Sequence, residues 1–221
     1  MNDNQKAIRD LCVPVFDGQK AHVGIDGDAH PFAYDCKPLD EDRKGFLAKA
    51  DKPWFSGSKS FAATKLNADL LKMRNAFVRF GGEEVCIPSL EDDLSKILSR
   101  GTLWPGHGAK RMPGRPSQCH ENSCLCWEAN QDRLFVATGY ALSDDGMWRQ
   151  HSWCVAPKGK GVTIIETTEP RELYFGFVMD LEETLDFGSE NTDMGLGVSQ
   201  ETMARYAALG AKKPARSRSL G

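Results

Sequence analysis

The stretch that decides the fold runs from residue 118 to residue 178. It begins Gln118-Cys-His-Glu-Asn-Ser123 and continues through Leu134-Phe-Val-Ala-Thr-Gly-Tyr-Ala-Leu142, Trp148-Arg-Gln-His-Ser-Trp153, Ile164-Ile-Glu-Thr-Thr168 and Leu173-Tyr-Phe-Gly-Phe-Val178. Ser117 to Asn130 reads as a helix, with Ser117 as N-cap and Cys119 in the first turn. The apolar, β-prone run 134–142 reads as a strand. Asp144-Asp-Gly146 makes a tight turn into a second strand, Met147 to Val155. Lys158-Gly-Lys-Gly161 turns into a third, Val162 to Glu166, and 173–178 supplies a fourth. One helix followed by a meandering antiparallel sheet gives an α+β core.

Working outward, the preceding residues are less regular. Phe61, Leu66, Leu70, Leu71, Met73, Ala76 and Phe77 recur at helical steps between Ser60 and Phe80, and Gly81-Gly82 ends the pattern. A short strand is expected at 85–87. A second helix is expected from Ser89 as N-cap, with Glu91 to Asp93 in its first turn. Residues 101–117, rich in glycine and proline, read as a loop that lines the site. Residues 1–59 read as an irregular arm packed on the body, with short strands at Val13-Pro-Val-Phe16 and Ala21-His-Val-Gly-Ile25. Residues 60–210 form the main domain, and 211–221 a disordered basic tail.

Composition narrows the function classes. The 221 residues are 40% hydrophobic and 27% charged, as in ordinary globular proteins, and no apolar run reaches a membrane span. The polar N-terminus lacks the apolar segment of a secretory signal, so a cytoplasmic location is expected. Seven irregularly spaced cysteines fit reduced thiols better than a disulfide framework. The formal charge is −3; without the four cations Lys212, Lys213, Arg216 and Arg218, residues 1–210 carry −7. An acidic body argues against nucleic acid as a partner.

The chemistry concentrates in residues 118–166. A thiolate is stabilised at a helix N-terminus, where unpaired N–H groups and the peptide dipoles favour an anion, and Cys119 sits there. The same N–H groups can receive an oxyanion. His151 lies centrally in the second strand, and Glu166 ends the next, so the two can lie side by side on one face. Alternation puts Arg149 and Trp153 with His151, and Trp148, Gln150, Ser152 and Cys154 on the other side. Cys119, His151 and Glu166 are thus candidates for nucleophile, base and orienting acid. Trp104, His107, Tyr140 and Trp148 are candidates for a substrate cleft, and Gln118 or Gln150 for a second oxyanion donor. His120 reads as structural.

Cysteine at a helix start, His151-Ser-Trp153 on a strand and Glu166-Thr-Thr168 on the next together resemble the transglutaminase-like branch of the papain-like cysteine hydrolases. That resemblance implies a papain-like core, the triad Cys119, His151 and Glu166, no cofactor, and a peptide or other amide-containing substrate. Glutamate stands where the family has aspartate, which lengthens the reach by one methylene. Two rivals remain: a zinc site drawn from Cys119, His120, Cys124, Cys126, His151 and Cys154, with Cys124-x-Cys126 and His151-x-x-Cys154 as a four-ligand set, and an inert binding module on the same fold. A further metal reading, of His22, Asp28 and His30, lacks a second cluster of ligands.

Overall fold

Phe135 to Leu142 is buried along its whole length, on both faces of the strand, which is the position its uninterrupted apolar composition suits. Around it the chain forms a mixed α+β structure, known from a computed structural model that describes residues 1–16, 19–25, 65–86 and 91–211. The strands are β1 (Val15–Phe16), β2 (Gln19–Lys20), β3 (Glu84–Cys86), β4 (Thr102–Pro105), β5 (Lys110–Arg111), β6 (Phe135–Leu142), β7 (Met147–Lys158), β8 (Gly161–Glu166) and β9 (Leu173–Val178). The helices are α1 (Asp3–Cys12), α2 (Lys65–Phe80), α3 (Leu94–Arg100), α4 (Cys119–Glu128), α5 (Leu181–Asn191) and α6 (Gln200–Ala211).

Among the described residues one sheet has seven strands, in the order β4-β9-β6-β7-β8-β5, with β3 also pairing β7. It is not a simple antiparallel meander. β3 on β7 and β5 on β8 are parallel, and β9 lies beside β6 rather than beside β8. The physical reason is burial: Leu173 to Val178 is apolar on both faces and takes an interior place between β4 and β6, not an edge.

The pairings leave a break that matters later. β6 occupies one edge of β7 from Trp148 to Val155. On the other edge β3 pairs only Met147 to Arg149, and β8 only Cys154 to Lys158. Residues 150–153 therefore have no strand on that side among the described residues.

One face of the sheet carries Tyr140, Trp148 and Phe175, all in ring contact with Phe77 of α2 at about 5 Å. The other carries His151, Trp153, Tyr174 and Trp104. These large rings fit because the strands beneath are bare: a Cβ on Gly176 would stand 2.1 Å from the Thr138 carbonyl oxygen and 2.9 Å from the Trp153 ring. Gly139 takes φ +153°, and a Cβ there would meet the Phe175 oxygen at 2.3 Å.

Several expected elements shift. α2 begins at Lys65, and the expected residues 60–64 lie outside the described ones, as do Ser89, Ile87, Asp28, His30 and the tail from 212. α3 starts at Leu94, not after Ser89, because Glu91 turns inward to accept from the Tyr140 hydroxyl and from the Asp93 N–H. Residues 101–117 are not all loop: Thr102 to Pro105 pair with β9 and Lys110–Arg111 with β8. The described part of the N-terminal arm contains α1, opened by an Asn2/Gln5 capping box. Within Ala21–Ile25 only Val23 makes an isolated bridge, to Thr102. α5 and α6, after residue 178, had no expected counterpart.

Candidate active site

α4 begins at Cys119, one residue later than a Ser117 cap would place it; Gln118 is the N-cap, and its side chain makes no cap bond. Ser117 instead holds a left-handed conformation, φ 60°, which turns the chain sharply into the helix. The approach segment is held from both sides. Met112 N–H donates to the Glu166 carbonyl at 2.9 Å and Gly114 N–H to the Thr167 carbonyl at 2.8 Å. The buried Asn122 grips the Arg115 main chain, accepting from its N–H at 2.9 Å and donating to its carbonyl at 2.7 Å. A side chain on Gly114 would collide with that amide, since its Cβ would lie 2.3 Å away.

This clamp delivers Cys119, half-buried, to the unpaired stretch of the β7 edge. There the His151 imidazole and the Ser152 backbone N–H stabilise its thiolate form. His151 is 2% exposed, and its Nε2 lies 2.9 Å from Glu166 Oε2. With Nε2 committed, Nδ1 is the ring nitrogen left for the thiol.

The β7–β8 register explains why a glutamate works here. Cys154 pairs Ile165, so one step further sets Glu166 opposite Trp153, two residues beyond His151. The carboxylate must reach diagonally across the strands. The extra methylene spans that offset. Fully buried, Glu166 is saturated: Oε2 also accepts from the Tyr174 hydroxyl at 2.7 Å, and Oε1 accepts from the Thr168 N–H at 2.7 Å and hydroxyl at 2.9 Å.

Titration follows from these contacts. Burial by itself would raise the Glu166 pKa, but the His151 hydrogen bond and charge, with Thr168 and Tyr174, hold it down at about 2. Burial opposes the charged imidazole of His151, and the bonds to Cys119 and Glu166 outweigh it, so its pKa is raised. For Cys119, burial favours the neutral thiol; His151 and the Ser152 N–H overcome it and lower the pKa. Cys124, one turn along, is pushed up to about 12 by burial. The arrangement can hold a thiolate beside an imidazolium oriented by a fixed carboxylate.

Trp153 stacks beside His151, ring centroids 6.2 Å apart, and Tyr174 and Trp104 pack on Trp153 at 5.0 and 5.9 Å. Trp104 is therefore a buried support of this face, its Nε1 donating to the Cys12 carbonyl, although it also borders a recess of about 150 Å³ with the exposed His107. Tyr140 and Trp148, expected in a cleft, lie on the opposite face around Phe77, because both have even strand parity and His151 odd. Gln118 and Gln150 are exposed. A groove of about 540 Å³ runs along α4 past Met112, Arg115, Asn122, Leu125 and Cys126. Asn122 and Cys126 share a helix face with Cys119.

Among the described residues no group of three or more His, Cys, Asp or Glu side chains is placed to hold a metal ion. Of the expected zinc set, Cys154 donates to the Ser123 carbonyl and His151 is committed to Glu166. No helix among the described residues is long and apolar enough to cross a membrane. Tyr174, Asn122 and the Ser152 N–H were not foreseen: Tyr174 sits in an apolar run, and a backbone N–H leaves no mark in sequence. Thr168, by contrast, belongs to the quoted Glu166-Thr-Thr168 motif. Compared with family models, curated proteins and solved structures, the chain matches none.

Proposed function

We propose that this chain is a cysteine-dependent hydrolase or acyltransferase of the papain-like kind, acting on an amide or peptide-like bond. The observation that carries the reading is the buried His151–Glu166 pair, 2.9 Å apart, brought against a half-buried Cys119 at a helix N-terminus. In the proposed reaction the Cys119 thiolate attacks the carbonyl carbon and forms a C–S bond. Negative charge moves to the carbonyl oxygen, which the first N–H groups of α4 receive, since they have no intrahelical acceptor and no side-chain cap. Gln118, exposed beside them, adds a side-chain donor. The intermediate collapses, the C–N bond breaks, and the His151 imidazolium gives its proton to the leaving amine. Water or a second amine then attacks the thioester while His151 takes its proton, which releases the acid or amide and returns the thiol. Throughout, Glu166 holds the ring orientation. Substrate side chains extend into the groove along α4.

Iodoacetamide tests this reading. Near neutral pH, Cys119 is expected to be alkylated ahead of the other cysteines, and His151→Ala to slow that labelling about tenfold or more, as loss of one pK unit of thiolate stabilisation requires. Peptide mapping by mass spectrometry identifies the labelled site. Uniform modification of several cysteines, or none at Cys119, would sink the proposal.

A further inference from the structure

The proposed triad does not use a polar chain that runs directly behind it. His120 places Nδ1 2.7 Å from Ser152 Oγ. Ser152 Oγ donates to Thr138 Oγ1 at 2.9 Å, and Thr138 Oγ1 donates to the His151 carbonyl at 3.4 Å. Each hydroxyl has one proton. With both committed, the Ser152 oxygen can only accept from His120, which fixes the ring as the Nδ1–H tautomer. Alternation puts the Ser152 side chain on the face opposite the His151 imidazole. The chain therefore starts beside the thiol and ends on the main chain of the base. The Ser152 backbone N–H is in turn one of the groups that favour the Cys119 thiolate. The residue after Cys119 thus grips a strand residue by its side chain, in the break between β3 and β8.

We infer that the His120–Ser152–Thr138 chain is a positioning device that registers the first turn of α4 on β7, so that the Cys119 thiol meets the His151 ring. The inference rests on the Cys119–His151 chemistry proposed above. His120 acts in it as a neutral donor. Its ring meets Phe187 of α5 edge-on, centroids 5.5 Å apart, and β7 through Ser152. The charged groups that act on it are His151 and, more weakly, Asp93 before α3; burial and His151 hold its pKa below the ordinary value. A neutral His120 leaves the positive charge beside the thiolate to His151 alone.

The test is the rate of Cys119 alkylation by iodoacetamide from about pH 5 to 9, where thiolate fraction sets the rate. Wild type is compared with His120→Ala, His120→Asn, Ser152→Ala and the double alanine variant. His120→Ala and Ser152→Ala are expected to move the midpoint up by about one pH unit, hence about tenfold slower labelling near pH 6. The double variant should be no slower than either single one, since the residues act as a unit. His120→Asn, whose amide N–H replaces Nδ1–H, should stay within about twofold of wild type. An unchanged profile in His120→Ala, or an Asn variant as impaired as the Ala variant, overturns the inference while the proposed chemistry stands. If His120→Ala does not fold, Ser152→Ala, which removes one oxygen, decides with His120→Asn. Loss of His151-dependent labelling in wild type itself overturns both.

Discussion

Glu166 shows how much one side chain carries. It accepts four hydrogen bonds while fully buried, so removing it strands an imidazole, two hydroxyls and a backbone N–H. Glu166→Ala is expected to cost about 3–5 kcal/mol, the range for breaking a buried ion pair, measured by urea unfolding. The pH dependence has a definite sign. Its pKa falls from 4.5 to about 2 on folding, so its stabilisation is present above 4.5 and lost as pH falls toward 2, roughly 3 kcal/mol in all. His151 acts oppositely: its pKa is raised above 6.5, so its contribution is present below that value and lost as pH rises through the folded one. Unfolding midpoints in a pH series should therefore fall on the acid side in wild type, and that acid slope should be absent in Glu166→Ala.

At the scale of elements, the site depends on where strands stop. β3 and β8 each leave the β7 edge short of residues 150–153, and the α4 N-terminus fills that gap. On the far face, the aromatic wall behind His151 requires Gly176. Gly176→Ala is expected to cost about 3 kcal/mol, at the upper end for overpacking, because its Cβ meets backbone 2.1 Å away, which cannot give as a side chain can. The same variant should slow Cys119 alkylation through the displaced Trp153, whereas Gly108→Ala, where a Cβ has open space, should change alkylation little. α4 is legible from its composition, but its start is not: Ser117 resembles a cap, whereas the chain held at residues 112–115 enters the helix at Gln118, whose side chain makes no cap bond. The interior place of β9 was not legible, because an apolar run does not name its neighbour.

Across the whole molecule, a buried ionic junction ties sequence-distant elements together. Arg100, at the end of α3, forms a two-pronged pair with Glu183 at 2.6 and 3.0 Å and donates to the Val178 carbonyl at 2.8 Å. Glu183 closes the α5 capping box on Asp180, and Asn2 and Gln5 of the N-terminal region bond Asp180 and Glu183. Arg100→Ala should cost about 3–5 kcal/mol, because Glu183 keeps its charge in a largely buried place. Thermal unfolding checks it, and Cys119 alkylation in the remaining folded protein should change little, since Arg100 touches none of the proposed triad.

By itself the sequence determined the helix-then-strands order, the hairpin at Asp144-Asp-Gly146, and the strand parity that sets His151 and Trp153 on one face and Ser152 on the other. Those features are local: apolar periodicity, turn chemistry and the two-residue repeat of a strand are set by neighbours along the chain. Only the tertiary structure decided that Tyr140 and Trp148 belong to the Phe77 side, that β9 lies beside β6, and that β3 and β8 leave a break in the β7 edge beside His151. These are pairings between residues far apart in sequence, fixed by which buried surfaces fit together, and no spacing encodes that.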